Sequence, residues 1–120
     1  MKKILVAEDD TFLASAYRVK LTKAGFAVTI ARDGAEAMEA VKKEIPDCLL
    51  LDLVMPVKDG FTVLEELKKD EKTKHIPIIV ASNLGQKEDT DRAMALGATA
   101  FVVKSNLSLD ELIAKINSFI

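Results

Sequence analysis

Acidic residues occupy positions where buried β-strands would end. The apolar stretch 4–7 is followed by three acids, and the unbroken run 49–51 is followed by one; these residues are Glu8, Asp9, Asp10 and Asp52. A carboxylate that directly follows an apolar strand loses hydration when it is buried. This costs free energy unless a cation or a hydrogen-bond donor contacts the carboxylate. Carboxylate oxygens suit Mg²⁺, and a carboxylate can also accept a phosphoryl group as an acyl phosphate. The acids therefore indicate a metal or phosphoryl site.

Two further polar residues end apolar runs later in the chain. Ser82 follows the fourth run and Lys104 follows the fifth. Each has a plainer interpretation, since Ser82 could cap a helix, Lys104 could pair with Asp52, and the early acids could favour the N-terminus of a helix. Together, however, a hydroxyl, a cation and several carboxylates provide the positioning and charge neutralisation that phosphoryl transfer needs.

The elements that carry these residues alternate along the chain. Short β-branched or Leu-rich runs are separated by longer helical patterns, which is typical of βαβ units and a parallel sheet. We predict strands over residues 4–7, 26–30, 48–52, 77–81 and 99–103. The central run is continuous rather than alternating, which favours a doubly wound α/β sheet with helices on both faces. Ligands of such sheets bind at the carboxyl ends of the strands, where the polar residues would converge.

Local signals place the helices between the strands. The first is predicted from Thr11 until Gly25, the second from the N-cap Asp33 until Pro46, the third over 61–69 and the fourth up to residue 96, before Gly97. The last helix is predicted from a capping box formed by Ser108 and Glu111 through residue 116.

The composition and net charge exclude some classes of function. The chain has 120 residues, and Lys plus Arg (17) against Asp plus Glu (19) gives a net charge of −2, so direct binding of nucleic acid is not expected. One domain over residues 1–120 is predicted. Cys48 lies in an apolar run and is interpreted as a buried core residue. No signal peptide or membrane span is visible, so a soluble, cytoplasmic protein is expected.

These motifs resemble the receiver domains of response regulators in bacterial two-component signalling, and the resemblance covers essentially the whole chain. The residues that carry it are the acidic pair Glu8 and Asp9, Asp52, the loop from Met55 to Phe61, Ser82, Phe101 and Lys104. It implies the strand order 2-1-3-4-5.

By this resemblance, Asp52 is the phosphoacceptor, and Mg²⁺ is held by Glu8, Asp9, Asp52 and the backbone carbonyl of Val54. The donor is a sensor histidine kinase or a histidine phosphotransfer protein. The resemblance further implies that the domain catalyses its own phosphorylation and is a signalling switch rather than an enzyme. Phe101 is the switch residue, and the face formed by the fourth helix, fifth strand and fifth helix contacts an unidentified downstream protein. A monomer or weak homodimer is expected.

Several positions depart from the pattern of that family. Asn83 is larger than the usual small residue after the hydroxyl position, and Ser105 replaces the usual proline after Lys104, so a trans Lys104–Ser105 bond is predicted. The apolar Val54 and Leu84 stand at the positions linked to phosphoryl lifetime, which predicts slow self-dephosphorylation.

Three alternatives to a working receiver share parts of this pattern. A haloacid dehalogenase-type hydrolase would need an Asp at position 54, which is Val, and a flavodoxin-like redox module would need a phosphate-cradling loop at positions 8–10, which are acidic. The third alternative is a receiver that has lost phosphorylation and serves only for binding. The intact acidic set argues against it, and a titration with acetyl phosphate or beryllium fluoride would separate the two.

Overall fold

A computed structural model describes residues 1–83, 86–106 and 108–120, and these form an α/β fold. Five parallel strands pair in the order β2-β1-β3-β4-β5, which confirms the predicted doubly wound sheet. The strands are β1 Lys3–Ala7, β2 Ala27–Ala31, β3 Cys48–Leu51, β4 Ile78–Ser82 and β5 Ala100–Val103. The helices are α1 Thr11–Lys23, α2 Gly34–Lys43, α3 Gly60–Lys69, α4 Lys87–Ala95 and α5 Leu109–Phe119.

Most boundaries fall within one or two residues of the predicted ones. Strand β3 ends at Leu51, so Asp52 lies just beyond the strand rather than at its last position. Helix α5 continues to Phe119, three residues past its predicted end. A short 3₁₀ helix, Lys104–Asn106, follows β5 and was not predicted, since nothing in its three-residue sequence distinguishes it from a loop.

Two apolar layers cover the two faces of the sheet. Side chains of α2, α3 and α4 pack on one face around Leu49, Leu51 and Val80. Side chains of α1 and α5 pack on the other face around Cys48, Leu50 and Ile79. Every residue of β3 is buried, because this central strand is covered from both sides, and this explains its unbroken apolar sequence.

Capping side chains begin four of the five helices. The carboxylates of Asp10, Asp33 and Asp59 and the hydroxyl of Ser108 each accept a hydrogen bond from a backbone N–H of the first helical turn. The predicted caps Asp33 and Ser108 are thus confirmed. Helix α4 differs, because its N-cap Gln86 makes no side-chain capping bond. Gly25 and Gly97, at φ +97° and +107°, follow the last turns of α1 and α4, as predicted.

No helix among the described residues is both long and apolar enough to cross a membrane.

Candidate phosphoryl-acceptor site

Three carboxylates meet at the carboxyl edge of the sheet. Strands β1 and β3 are neighbours, with Ala7 opposite Leu51, so the next residues Glu8 and Asp52 come side by side. Oxygens of Glu8, Asp9 and Asp52 all lie within 4.8 Å of one another. Glu8 and Asp52 are buried at 2% and 7% exposure, whereas Asp9 is exposed. The convergence predicted for these three residues is therefore present.

Lys104 forms ion pairs with the two buried carboxylates. Its Nζ lies 3.1 Å from Asp52 Oδ2 and also forms a short ion pair with Glu8 Oε1. The lysine starts the 3₁₀ helix after β5, and its side chain is 12% exposed. A single ammonium group thus bridges two buried carboxylates. Its positive charge offsets the desolvation cost expected for Asp52.

The electrostatics of the site reflect this crowding. Burial raises the pKa of the Glu8 carboxyl to about 7, and the charge of Asp52 acts in the same direction, while Lys104 and the backbone N–H of Asp10 oppose it. Burial would lower the pKa of Lys104, but its contacts with Glu8 and Asp52 outweigh burial and raise it. The lysine therefore stays positively charged at neutral pH.

The donor set fits a divalent cation. When all are ionised, three carboxylates and one ammonium carry −3 + 1 = −2, so one divalent ion would neutralise the cluster. The ligands are hard oxygens, and Asp9 and the edge of the cluster face solvent, so bound water could complete the coordination. These residues could therefore hold a divalent metal ion.

Asp10 does not belong to this cluster. Its side chain caps α1 by accepting from the Leu13 N–H at 3.0 Å, and its own N–H donates to Glu8 Oε2 at 3.2 Å. Asp10 is thus a neighbour that orients Glu8, and its carboxylate interacts favourably with the helix dipole.

A small cavity opens beside Asp52. Its volume is about 110 Å³, and it is lined by Asp52, Val54, Ser82, Asn83 and Lys104. This space corresponds to about three or four water molecules, which is enough for a small oxyanion. Ser82 is buried at the end of β4, and Asn83 is exposed beside it. The larger Asn83 therefore borders the cavity; Leu84 lies outside the described residues.

Gly60 packs against the backbone of the site, although the sequence predicts only a loop at this position. A Cβ at this position would lie 2.2 Å from the backbone oxygen of Asp52 and 2.7 Å from Leu53 Cα. The Gly60 N–H also donates to the Leu53 oxygen at 2.9 Å. The chain therefore folds back tightly against the residue that carries the central carboxylate. The only local signal was the Asp59-Gly60 pair at the start of α3.

The remaining predicted residues occupy distinct places. The side chain of Val54 is 60% exposed at the rim of the cavity. Phe101 on β5 is partly buried against the layer formed with α2, α3 and α4. The Lys104–Ser105 bond is trans, as predicted, since no described residue follows a cis peptide bond.

Comparison with known proteins decides the family. The family model described as the response regulator receiver domain matches residues 4–117 of this chain. The chain belongs to the response regulator receiver domain family. As such it is a two-component signalling switch.

Individual relatives agree with this membership. The transcriptional regulator RpaA of Synechocystis sp. is 32% identical over 120 residues, which are all of this chain and 49% of that protein. The BeF₃-activated receiver domain of Klebsiella pneumoniae RstA aligns with a TM-score of 0.90 at 26% identity, covering 98% of this chain and 97% of that one. A Mn²⁺-bound form of the response regulator Rcp1 aligns with a TM-score of 0.85 at 28% identity, covering 98% and 91%. The chain spans about half the length, or less, of the curated relatives it matches.

Proposed function

We propose that this chain accepts a phosphoryl group on Asp52 from a phosphohistidine of a sensor histidine kinase or a histidine phosphotransfer protein, in a Mg²⁺-dependent reaction. The observation that carries the proposal is the placement of Asp52. Its carboxylate lies within 4.8 Å of carboxylate oxygens of Glu8 and Asp9 and 3.1 Å from Lys104 Nζ, and it borders a cavity large enough for a small oxyanion.

The metal would be held by the acidic cluster. Glu8, Asp9 and Asp52, together with the backbone carbonyl of Val54, would be its protein contacts. With all three carboxyls ionised and Lys104 charged, the cluster carries a charge that one divalent ion would neutralise. When bound, Mg²⁺ supplies positive charge to the phosphoryl oxygens.

Asp52 and Lys104 have separate roles in the transfer. An oxygen of the Asp52 carboxylate attacks the phosphorus as the P–N bond to the donor imidazole breaks, so an acyl phosphate forms and the imidazole nitrogen takes back the electron pair. Lys104, which already contacts Asp52 Oδ2 at 3.1 Å, would donate to the phosphoryl oxygens, and Ser82, which lines the same cavity, would donate its hydroxyl to them. Slow hydrolysis is part of the proposal, because Val54 lines the cavity without a side-chain group that could orient water.

The output would be conformational. New contacts to the phosphoryl group draw Ser82 towards the site, and Phe101 on the neighbouring strand changes rotamer as the face formed by α4, β5 and α5 rearranges. Phe101 is only partly buried, so the core does not fully enclose its side chain. The downstream partner is a protein that distinguishes the two states of this face.

Phosphorylation with radiolabelled acetyl phosphate and Mg²⁺ tests the proposal. We expect label on the peptide that contains Asp52 and none in Asp52→Asn, because the amide lacks the nucleophilic anion. Asp47→Asn is the matched control, since Asp47 immediately precedes the same strand at its opposite end and should retain full labelling.

Beryllium fluoride provides a second measurement. With Mg²⁺, it should shift the NMR signals of the site and of the α4-β5-α5 face in the wild type. Labelling that persists in Asp52→Asn would refute the assignment of the acceptor. An absence of any Mg²⁺-dependent response to either reagent would instead leave a receiver that serves for binding alone.

A further inference from the structure

A second cavity borders Lys104 on the face of the sheet that α1 and α5 cover. Its volume is about 170 Å³, and it lies between those two helices and strands β4 and β5. The lining residues are Leu13, Tyr17, Ala81, Val102, Lys104, Ser108, Leu109 and Leu112. Lys104 thus belongs to the walls of both this cavity and the one beside Asp52.

The lining selects for a neutral, apolar occupant. Five of its side chains are aliphatic, and three of them, Ala81, Val102 and Leu112, are buried. The two ionic or capping groups at its edge already have partners in the protein, because the Lys104 ammonium binds Glu8 and Asp52 and the Ser108 hydroxyl caps α5. The Tyr17 hydroxyl is neutral and offers no charge to a ligand. A charged ligand would lose its hydration here without gaining an ion pair.

The volume of the cavity and the aromatic ring in its lining indicate which apolar molecule it could bind. An apolar protein cavity of about 150 Å³ holds one benzene molecule, so 170 Å³ suits a single six-membered ring. The Tyr17 ring favours an aromatic neighbour through edge or face contacts. The Lys104 ammonium could add a cation–π contact when a metal ion displaces it from the carboxylates. We propose that this cavity binds a small neutral aromatic molecule of the size of benzene or phenol.

Occupancy of this cavity would be coupled to the metal site. Lys104 provides the link, because it lines this cavity as well as the one beside Asp52. A divalent ion on Glu8 and Asp52 competes with Lys104 for the same oxygens. Once the ion has displaced the ammonium, a bound ring gives it a new neighbour, so the ring should strengthen metal binding by roughly two- to fivefold, the factor that one cation–π contact supplies. By linkage, the metal strengthens ring binding by the same factor.

Titration of ¹⁵N-labelled protein with phenol tests the binding site. We expect saturable NMR shifts at the lining residues with a roughly millimolar Kd. Ala81→Leu fills the cavity and should abolish them, with Val102→Ile as a milder filling variant if Ala81→Leu does not fold. Phe12→Ser is the matched control, because it removes an apolar side chain that is 91% exposed on α1 beside Leu109 and should leave phenol binding unchanged.

Two outcomes would overturn the binding site. Shifts that centre on Phe12 and disappear in Phe12→Ser would show adsorption to the exposed surface of α1, and shifts that persist in both filled variants would place the phenol elsewhere.

Coupling is measured separately, by Mg²⁺ titration with and without saturating phenol. A higher Mg²⁺ affinity with phenol, lost in Ala81→Leu, is expected; equal affinities would refute the coupling. Neither measurement involves phosphorylation, so these results stand apart from the test of Asp52 as acceptor.

Discussion

Val57 has a backbone conformation that its side chain disfavours. Its φ is +69°, and it lies in the loop that joins the site residue Asp52 to α3. β-Branched residues rarely occupy this left-handed region, which costs an ordinary L-residue about 1–2 kcal/mol. The side chain is 82% exposed, so it gains little from burial to offset the strain.

Val57→Gly should therefore stabilise the protein. Glycine removes about 1–2 kcal/mol of strain but adds about 0.5–1 kcal/mol of unfolded-state entropy, which leaves a net gain of about 0.5–1 kcal/mol. This corresponds to a shift in Tm of about 2–5 °C for a domain of this length. Urea unfolding monitored by circular dichroism measures the free energy directly, with an unchanged slope indicating that only stability has changed.

Val54→Gly is the matched control for this prediction. Val54 is an exposed valine of the same loop, and Val57 is the non-glycine residue with positive φ among those described. Glycine at position 54 relieves no such strain, so it should destabilise the protein by about 0.5–1 kcal/mol. If both variants lose stability by similar amounts, the strain assigned to Val57 is wrong.

Further predictions concern other sites. Gly60→Ala should destabilise the protein by more than about 2 kcal/mol, because the added Cβ would lie 2.2 Å from the backbone oxygen of Asp52. Gly25→Ala is the control and should cost only about 1 kcal/mol, because Gly25 has φ +97° but nothing within 4 Å of the added Cβ. Equal losses of stability in urea unfolding would contradict this reasoning. Cys48 is fully buried, and burial raises the pKa of its thiol to about 12. Its thiolate at pH 8 is therefore about a thousandfold rarer than that of an ordinary cysteine. Native protein should resist iodoacetamide until urea is added, and rapid labelling of the native protein would refute the buried placement. Asp52→Asn should raise the Tm of metal-free protein, because it removes one of three crowded carboxylates; melting in EDTA checks this, and a lower Tm would mean that the lost contact with Lys104 outweighs the relieved repulsion.

Local and periodic features of the fold were readable from the sequence. Helix stops at Gly25 and Gly97 and caps at Asp33 and Ser108 depend on neighbours a few residues away, so the sequence contains them fully. The continuous apolar run of β3 predicted a strand covered on both faces, which the buried central strand confirms. Even the convergence of Glu8 and Asp52 follows from parallel strands, because their carboxyl ends share one edge.

Only the tertiary structure decided which of these groups touch and which serve the backbone. Lys104 is 96 residues from Glu8 in the chain, yet one ammonium group bridges Glu8 and Asp52, a contact that depends on how β5 sits across the sheet. Asp10 caps α1 while the adjacent Asp9 joins the cluster, a difference set by side-chain direction at the end of β1. The close approach of Gly60 to Asp52 and the positive φ of Val57 likewise arise from the path of the folded loop. Local sequence sets the conformational preferences of each segment, but contacts between distant segments depend on angstrom-scale packing, which no local pattern encodes.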